Sequence, residues 1–153
     1  MEYKNVEILL VEDNPNDVEL ELRAFKKHNI INKIFVVRDG AEALDYLFGM
    51  GLHANRKDYF PPKMVLLDLK LPKISGLEVL QSIRANEQTR LLPVVILTSS
   101  KEEKDLIEGY KLGVNSYIVK PVAFEDLLKV TAELGLYWLL LNKVPADITQ
   151  KNE

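Results

Sequence analysis

Five short apolar runs, separated by amphipathic stretches, constrain this chain more than any other feature. The runs are Val6–Val11, Ile34–Val37, Met64–Leu67, Val94–Leu97 and Ser116–Val119. Each is apolar at nearly every position, the pattern of strands covered on both faces in a parallel sheet. Helical patterns lie between them. Val18, Leu22 and Phe25 share one face of the first, and Leu44, Leu47 and Phe48 one face of the second. Leu77, Leu80 and Ile83 mark the third, Leu106, Ile107 and Tyr110 the fourth, and Phe124, Leu127, Leu128, Thr131 and Leu134 the last. Asn14-Pro15 reads as an N-cap followed by proline at the first helical position, and Gly113 as a helix C-terminal signal.

Strands recur about every thirty residues, the size of a βαβ unit. Strict alternation of five strands and five helices predicts a doubly wound α/β sheet with right-handed crossovers. The 153 residues fit one domain, large enough to fold on its own core. The stretch 49–63 is a longer connection than usual, and 143–153 reads as a polar tail.

Composition excludes several classes of function. There is no cysteine, so thiolate metal sites and redox pairs are ruled out. The formal net charge is −3 with no basic block, which argues against nucleic acid as a partner. The N-terminus lacks a secretory pattern, and the longest apolar stretch, Leu134 to Leu141, is far short of the ~20 residues that span a bilayer. A cytoplasmic protein without membrane insertion is expected.

In an open α/β sheet, ligands bind beyond the carboxyl ends of the strands. The first run ends there in Glu12-Asp13, the third in Asp68, the fourth in Thr98-Ser99 and the fifth in Lys120-Pro121. Each has an ordinary structural explanation on its own: a turn acid, a loop start, a helix entry, a surface lysine. Four strands delivering acids, a hydroxyl and an ammonium to one edge form a pattern that chance explains poorly. Three carboxylates resist joint ionisation unless positive charge is supplied. Mg2+ takes oxygen ligands, commonly one or two carboxylates plus phosphate oxygens. Asp68 can then act as a nucleophile on phosphorus, with Lys120 and Thr98 neutralising and orienting the transferred group.

Val11-Glu12-Asp13-Asn14, Leu66-Leu67-Asp68-Leu69-Lys70-Leu71-Pro72, Leu97-Thr98-Ser99 and Tyr117-Ile118-Val119-Lys120-Pro121 together resemble the receiver domains of two-component response regulators. The resemblance spans about residues 6 to 135 in the family's order and spacing. It implies a flavodoxin-like (βα)5 fold with strand order 2-1-3-4-5, and a domain over residues 1–142 with an extended last helix. By the same resemblance Asp68 is the phosphoacceptor. Mg2+, for which Mn2+ can substitute, is held by Asp13, Asp68 and the backbone carbonyl of Lys70, with Glu12 acting through a water. Lys120 pairs with the phosphoryl group, Pro121 forms a cis-proline turn, and Thr98 and Tyr117 form the switch. Phosphorylation adds roughly −1.5 to −2 charge, drawing Thr98 inward and reshaping the face that a partner reads.

A narrower resemblance links Asn14 to Asn29, Val36 to Phe48, Leu66 to Leu80 and Leu134 to Asn142 to the small single-domain regulators that partner bacterial phytochromes and related histidine kinases. It implies a sensor histidine kinase as partner and a homodimer. Tyr137, Trp138, Leu139, Leu140 and Leu141 are consecutive and cannot all face one core, which independently points to an interface. Lys70 and Ser100 stand where an acid or amide would orient a hydrolytic water, so a long-lived phosphoryl group is expected.

Three competing readings are weaker. An aspartate-nucleophile phosphatase would carry a second aspartate where Lys70 stands, so an enzyme is not expected. A flavodoxin-like cofactor binder would show a glycine-rich phosphate loop. A receiver that binds partners without phosphorylation would not need the intact acid, hydroxyl and lysine set. His28 and His53 are isolated in the sequence and are expected at the surface. No output domain is expected after the receiver, so output is expected through protein contacts or onward transfer to a histidine phosphotransfer protein.

Overall fold

A computed structural model describes residues 6–27, 34–51, 61–99, 108–120 and 124–133. In chain order these form β1 (Ile8–Val11), α1 (Pro15–Lys27), β2 (Ile34–Val37), α2 (Gly40–Phe48), β3 (Met64–Asp68) and α3 (Gly76–Ala85). Then come β4 (Val94–Thr98), a helix whose described part is 108–111 (α4), β5 (Ser116–Val119) and α5 (Phe124–Glu133). All strand pairings are parallel, and the sheet order is β2-β1-β3-β4-β5, as the resemblance implies.

Alternate strand residues enter two cores, because successive side chains on a strand point to opposite faces. Leu9, Val11, Val65, Leu67, Val94 and Ile96 pack with Ala43, Tyr46 and Leu47 of α2 and Val79, Leu80 and Ile83 of α3. Ile8, Leu10, Met64, Leu66, Val95, Leu97 and Ile118 pack on the other side with Phe25 of α1 and Leu127 and Val130 of α5. Burial on both faces is why these strands carry almost no polar residue before their last position.

Local chemistry sets the helix starts. Asn14 Oδ1 accepts from the backbone N–H of Asn16 at 2.8 Å and of Asp17 at 3.2 Å, with Pro15 opening α1. Asp39 caps α2, and Ser75 caps α3 in a reciprocal box with Glu78. Gly113, at φ 90°, closes the α4 turn in the left-handed region, as its sequence signal suggests. Arg84 of α3 donates to the carbonyls of Leu92 at 2.7 Å and Gly113 at 2.8 Å, tying together the segments that lead into β4 and β5.

Two helix faces differ from the periodicity reading. In α1 the buried positions are Val18, Glu21 and Phe25, while Leu22 is 37% exposed. The helix is rotated so that the acid, not the leucine, meets the sheet edge. In α4 Tyr110 is 55% exposed and Gly109 is buried, with Ile96, Val114 and Tyr117 crowding the space a β-carbon there would take. In α2 the apolar face also includes Ala43 and Tyr46. The expected extended last helix and polar tail, the cis-proline turn at Pro121, and Ser100, His28 and His53 lie outside the described residues.

Candidate functional site at the carboxyl edge of the sheet

The strand alternation aims the polar residues before any contact is counted. Glu12 continues the side of Ile8 and Leu10, Asp68 that of Met64 and Leu66, and Lys120 that of Ile118. All three therefore face the α1–α5 layer. Two backbone bonds extend the sheet order to the edge: Glu12 N donates to Val37 O at 3.0 Å, and Lys120 N to Thr98 O at 2.7 Å.

Lys120 is the hub. Its Nζ lies 2.5 Å from Glu12 Oε1, 3.0 Å from Asp17 Oδ2, 3.4 Å from Asp68 Oδ2 and 4.0 Å from Glu21 Oε2. Burial works against its charge, but the hydrogen bonds to Glu12 and Asp17 and the field of Asp68 overcome it and hold the ammonium pKa above the usual lysine range. Glu12 is fully buried. Its pKa is raised to about 7, chiefly by burial and further by Asp68, against the lowering effect of Lys120.

Carboxylate oxygens of Glu12, Asp13 and Asp68 all lie within 4.8 Å of one another. Glu12 and Asp68 are buried and Asp13 is exposed, so the cluster opens to solvent on one side. Asp68 Oδ1 also accepts from the Lys70 N–H at 3.3 Å. An all-oxygen donor set with excess negative charge suits a hard divalent cation.

Thr98 stands one residue beyond Leu97, the register partner of Asp68, and is fully buried. It shares its side of the sheet with Ile96 and with Tyr117, the register partner of Ile96. The hydroxyl and the half-buried aromatic thus share the α3–α4 side of the sheet, with Thr98 ending β4 at the same carboxyl edge.

Residues 8–132 match the family described as the response regulator receiver domain. The chain belongs to that family. As a receiver domain it is a member of a family that binds divalent metal, takes phosphoryl groups from histidine kinases and is not a classical enzyme. It is 46% identical over 138 residues to the probable methanogenesis regulatory protein FilR2 of Methanothrix harundinacea, covering 90% of this chain and 86% of FilR2. The solved structure of the bacteriophytochrome response regulator AtBRR is 52% identical with a TM-score of 0.81, covering 92% of this chain and 99% of that one. Response regulator Rcp1 of Synechocystis sp. is 38% identical over 139 residues, covering 91% of this chain and 92% of Rcp1. A solved form of Rcp1 is bound to Mn2+, with a TM-score of 0.69 over 86% of this chain and 93% of that one.

The receiver's edge brings together Glu12, Asp13, Asp68 and Lys120, which the sequence singles out, and Thr98 ends the neighbouring strand at the same edge. Sequence reasoning missed three residues. Asp17 and Glu21 reach Lys120 from α1, and their signal is a pair of acids one helical turn apart just after Glu12-Asp13. The third is Gly76, where a β-carbon would come within 2.2 Å of the Asp68 carbonyl oxygen. Among the described residues, no helix is long and apolar enough to cross a membrane.

Proposed function

We propose that this receiver accepts a phosphoryl group on Asp68 from a sensor histidine kinase of the phytochrome-associated kind, and signals through a changed protein-binding face. The observation that carries this reading is the meeting of carboxylate oxygens of Asp68, Glu12 and Asp13 within 4.8 Å while Lys120 Nζ stands 3.4 Å from Asp68 Oδ2. In the reaction an Asp68 carboxylate oxygen forms the new bond to phosphorus, the phosphorus–nitrogen bond of phosphohistidine breaks, and the leaving imidazole takes a proton from solvent.

Asp13, Asp68 and the Lys70 carbonyl would hold Mg2+ or Mn2+, with Glu12 acting through water. The bound cation supplies charge neutralisation for the carboxylates and the incoming phosphoryl oxygens. Lys120 adds a second positive charge at Asp68 and keeps it there after transfer. The Thr98 hydroxyl turns toward the new phosphoryl oxygens, and Tyr117, on the same side of the sheet, follows into the space released. The face around α4, β5 and α5 then changes, and a partner protein reads it.

The apolar run Tyr137–Leu141 supports a homodimer, measurable by sedimentation. The direct test is phosphotransfer from a labelled phytochrome-type kinase. Label is expected to move to the wild-type chain within minutes, to stop with a chelator, and to be absent from Asp68→Asn. Transfer to Asp68→Asn as fast as to wild type would overturn the assignment.

A further inference from the structure

Lys120 is surrounded by more carboxylate than one ammonium needs. Four acids approach it: Glu12 and Asp68 from the sheet edge, Asp17 and Glu21 from α1. The sheet-edge pair is also part of the cluster suited to a divalent cation. An ammonium 2.5 Å from Glu12 and 3.4 Å from Asp68 competes with such a cation for the same oxygens, and like charges at that range repel strongly.

Helix α1 offers the ammonium somewhere else to go. Asp17 Oδ2 already lies 3.0 Å from Nζ and Glu21 Oε2 4.0 Å. Glu21 is only 6% exposed, and its other oxygen, Oε1, is buried with no hydrogen-bond partner among the described residues. A buried acceptor left unpaired is costly, and a lysine ammonium carries three donors. The unpaired oxygen belongs to a carboxylate whose Oε2 already lies 4.0 Å from the Lys120 ammonium.

We propose that Asp17 and Glu21 are positioning residues that receive the Lys120 ammonium when a divalent cation enters the Glu12, Asp13 and Asp68 cluster. This rests on the reading of that cluster as the receiver's metal site. The α1 pair keeps the ammonium close to Asp68 while freeing Glu12 and Asp68 for the metal. Lys120 is then ready for the phosphoryl group without blocking the cation that must accompany it.

The test is a double-mutant cycle on Mg2+ affinity, measured by calorimetry. Asp17→Asn/Glu21→Gln is expected to bind Mg2+ on the order of tenfold more weakly than wild type, and the same pair of changes in a Lys120→Met background only about twofold more weakly. An equal factor in both backgrounds means the acids act only through their own field and overturns the proposal. A second measurement needs no variant: on adding Mg2+ to wild type, the NMR contact between Lys120 Hε and Glu21 Hγ should strengthen as that to Glu12 Hγ weakens. Unchanged contacts with Mg2+ bound overturn it equally. Intact mass after acetyl phosphate separates the two readings. A coupled cycle without phosphoryl uptake leaves the lysine seat standing and removes the phosphoacceptor reading; uptake without coupling does the reverse.

Discussion

Gly76, the first residue of α3, is pressed so closely on Asp68 that a β-carbon would stand 2.2 Å from the Asp68 carbonyl oxygen and 2.7 Å from Leu69 Cα. Its N–H donates to Leu69 O at 2.9 Å, closing the loop that starts at Asp68. The atoms in the way are backbone, so nothing flexible can yield. Gly76→Ala is expected to cost about 2–3 kcal/mol in denaturant unfolding and to slow phosphoryl uptake at Asp68 even where the fold survives. A variant as stable and as reactive as wild type would show that the loop has room to shift.

Lys120 is the cation among four acids, so removing it leaves their repulsion uncompensated. Without metal at pH 7, Lys120→Met is expected to lose about 3 kcal/mol of stability by chemical unfolding. Added Mg2+ should raise the melting temperature of this variant more than that of wild type, because no ammonium competes for Glu12 and Asp68. Equal Mg2+ shifts in the two proteins would mean that Lys120 and the cation do not share those carboxylates.

Glu21 gives stability a pH dependence whose sign follows from burial. Burial first, then the charge of Glu12, raises its pKa to about 8 from an ordinary value of 4.5. Between those values the folded chain binds a proton that the unfolded chain does not, so stability falls as pH rises from about 5 to 8. Glu21→Gln lacks this term. In chelator, the stability of the variant relative to wild type should increase over that window by on the order of 2 kcal/mol. Glu12, raised to about 7, adds a slope of the same sign in both proteins. Parallel pH curves for wild type and variant would contradict the account.

Lys70 is exposed two residues after Asp68, where it is poorly suited to orient an attacking water. The phosphoryl group is expected to persist for many minutes without a phosphatase, and Lys70→Asn to shorten that lifetime severalfold. Loss from wild type within seconds, followed by intact mass, would contradict this.

Much of this site is legible in the sequence because a parallel sheet sends every strand's end to one edge. Asp68 and Thr98 prove to be the last residues of β3 and β4, and Glu12 and Lys120 follow β1 and β5 directly. What escaped was helix phase. Leu22 is the apolar residue in the periodic pattern of α1, yet Glu21 is buried, since the acidic edge and Lys120 give a carboxylate something to meet that hydrophobicity does not register. Tyr110 escaped for a related reason: Gly109 takes the close-packed position against Ile96 and Tyr117, turning the ring outward. Gly76 is invisible to periodicity because its role depends on how near two chain segments come in space.

The central claim is that Asp68 is the group that reacts. Intact mass after incubation with Mg2+ and acetyl phosphate, comparing wild type with Asp68→Asn, tests it most directly. One added phosphoryl group on wild type and none on the variant is the expected result. No addition to folded wild type in excess Mg2+, or equal addition to both proteins, would contradict it.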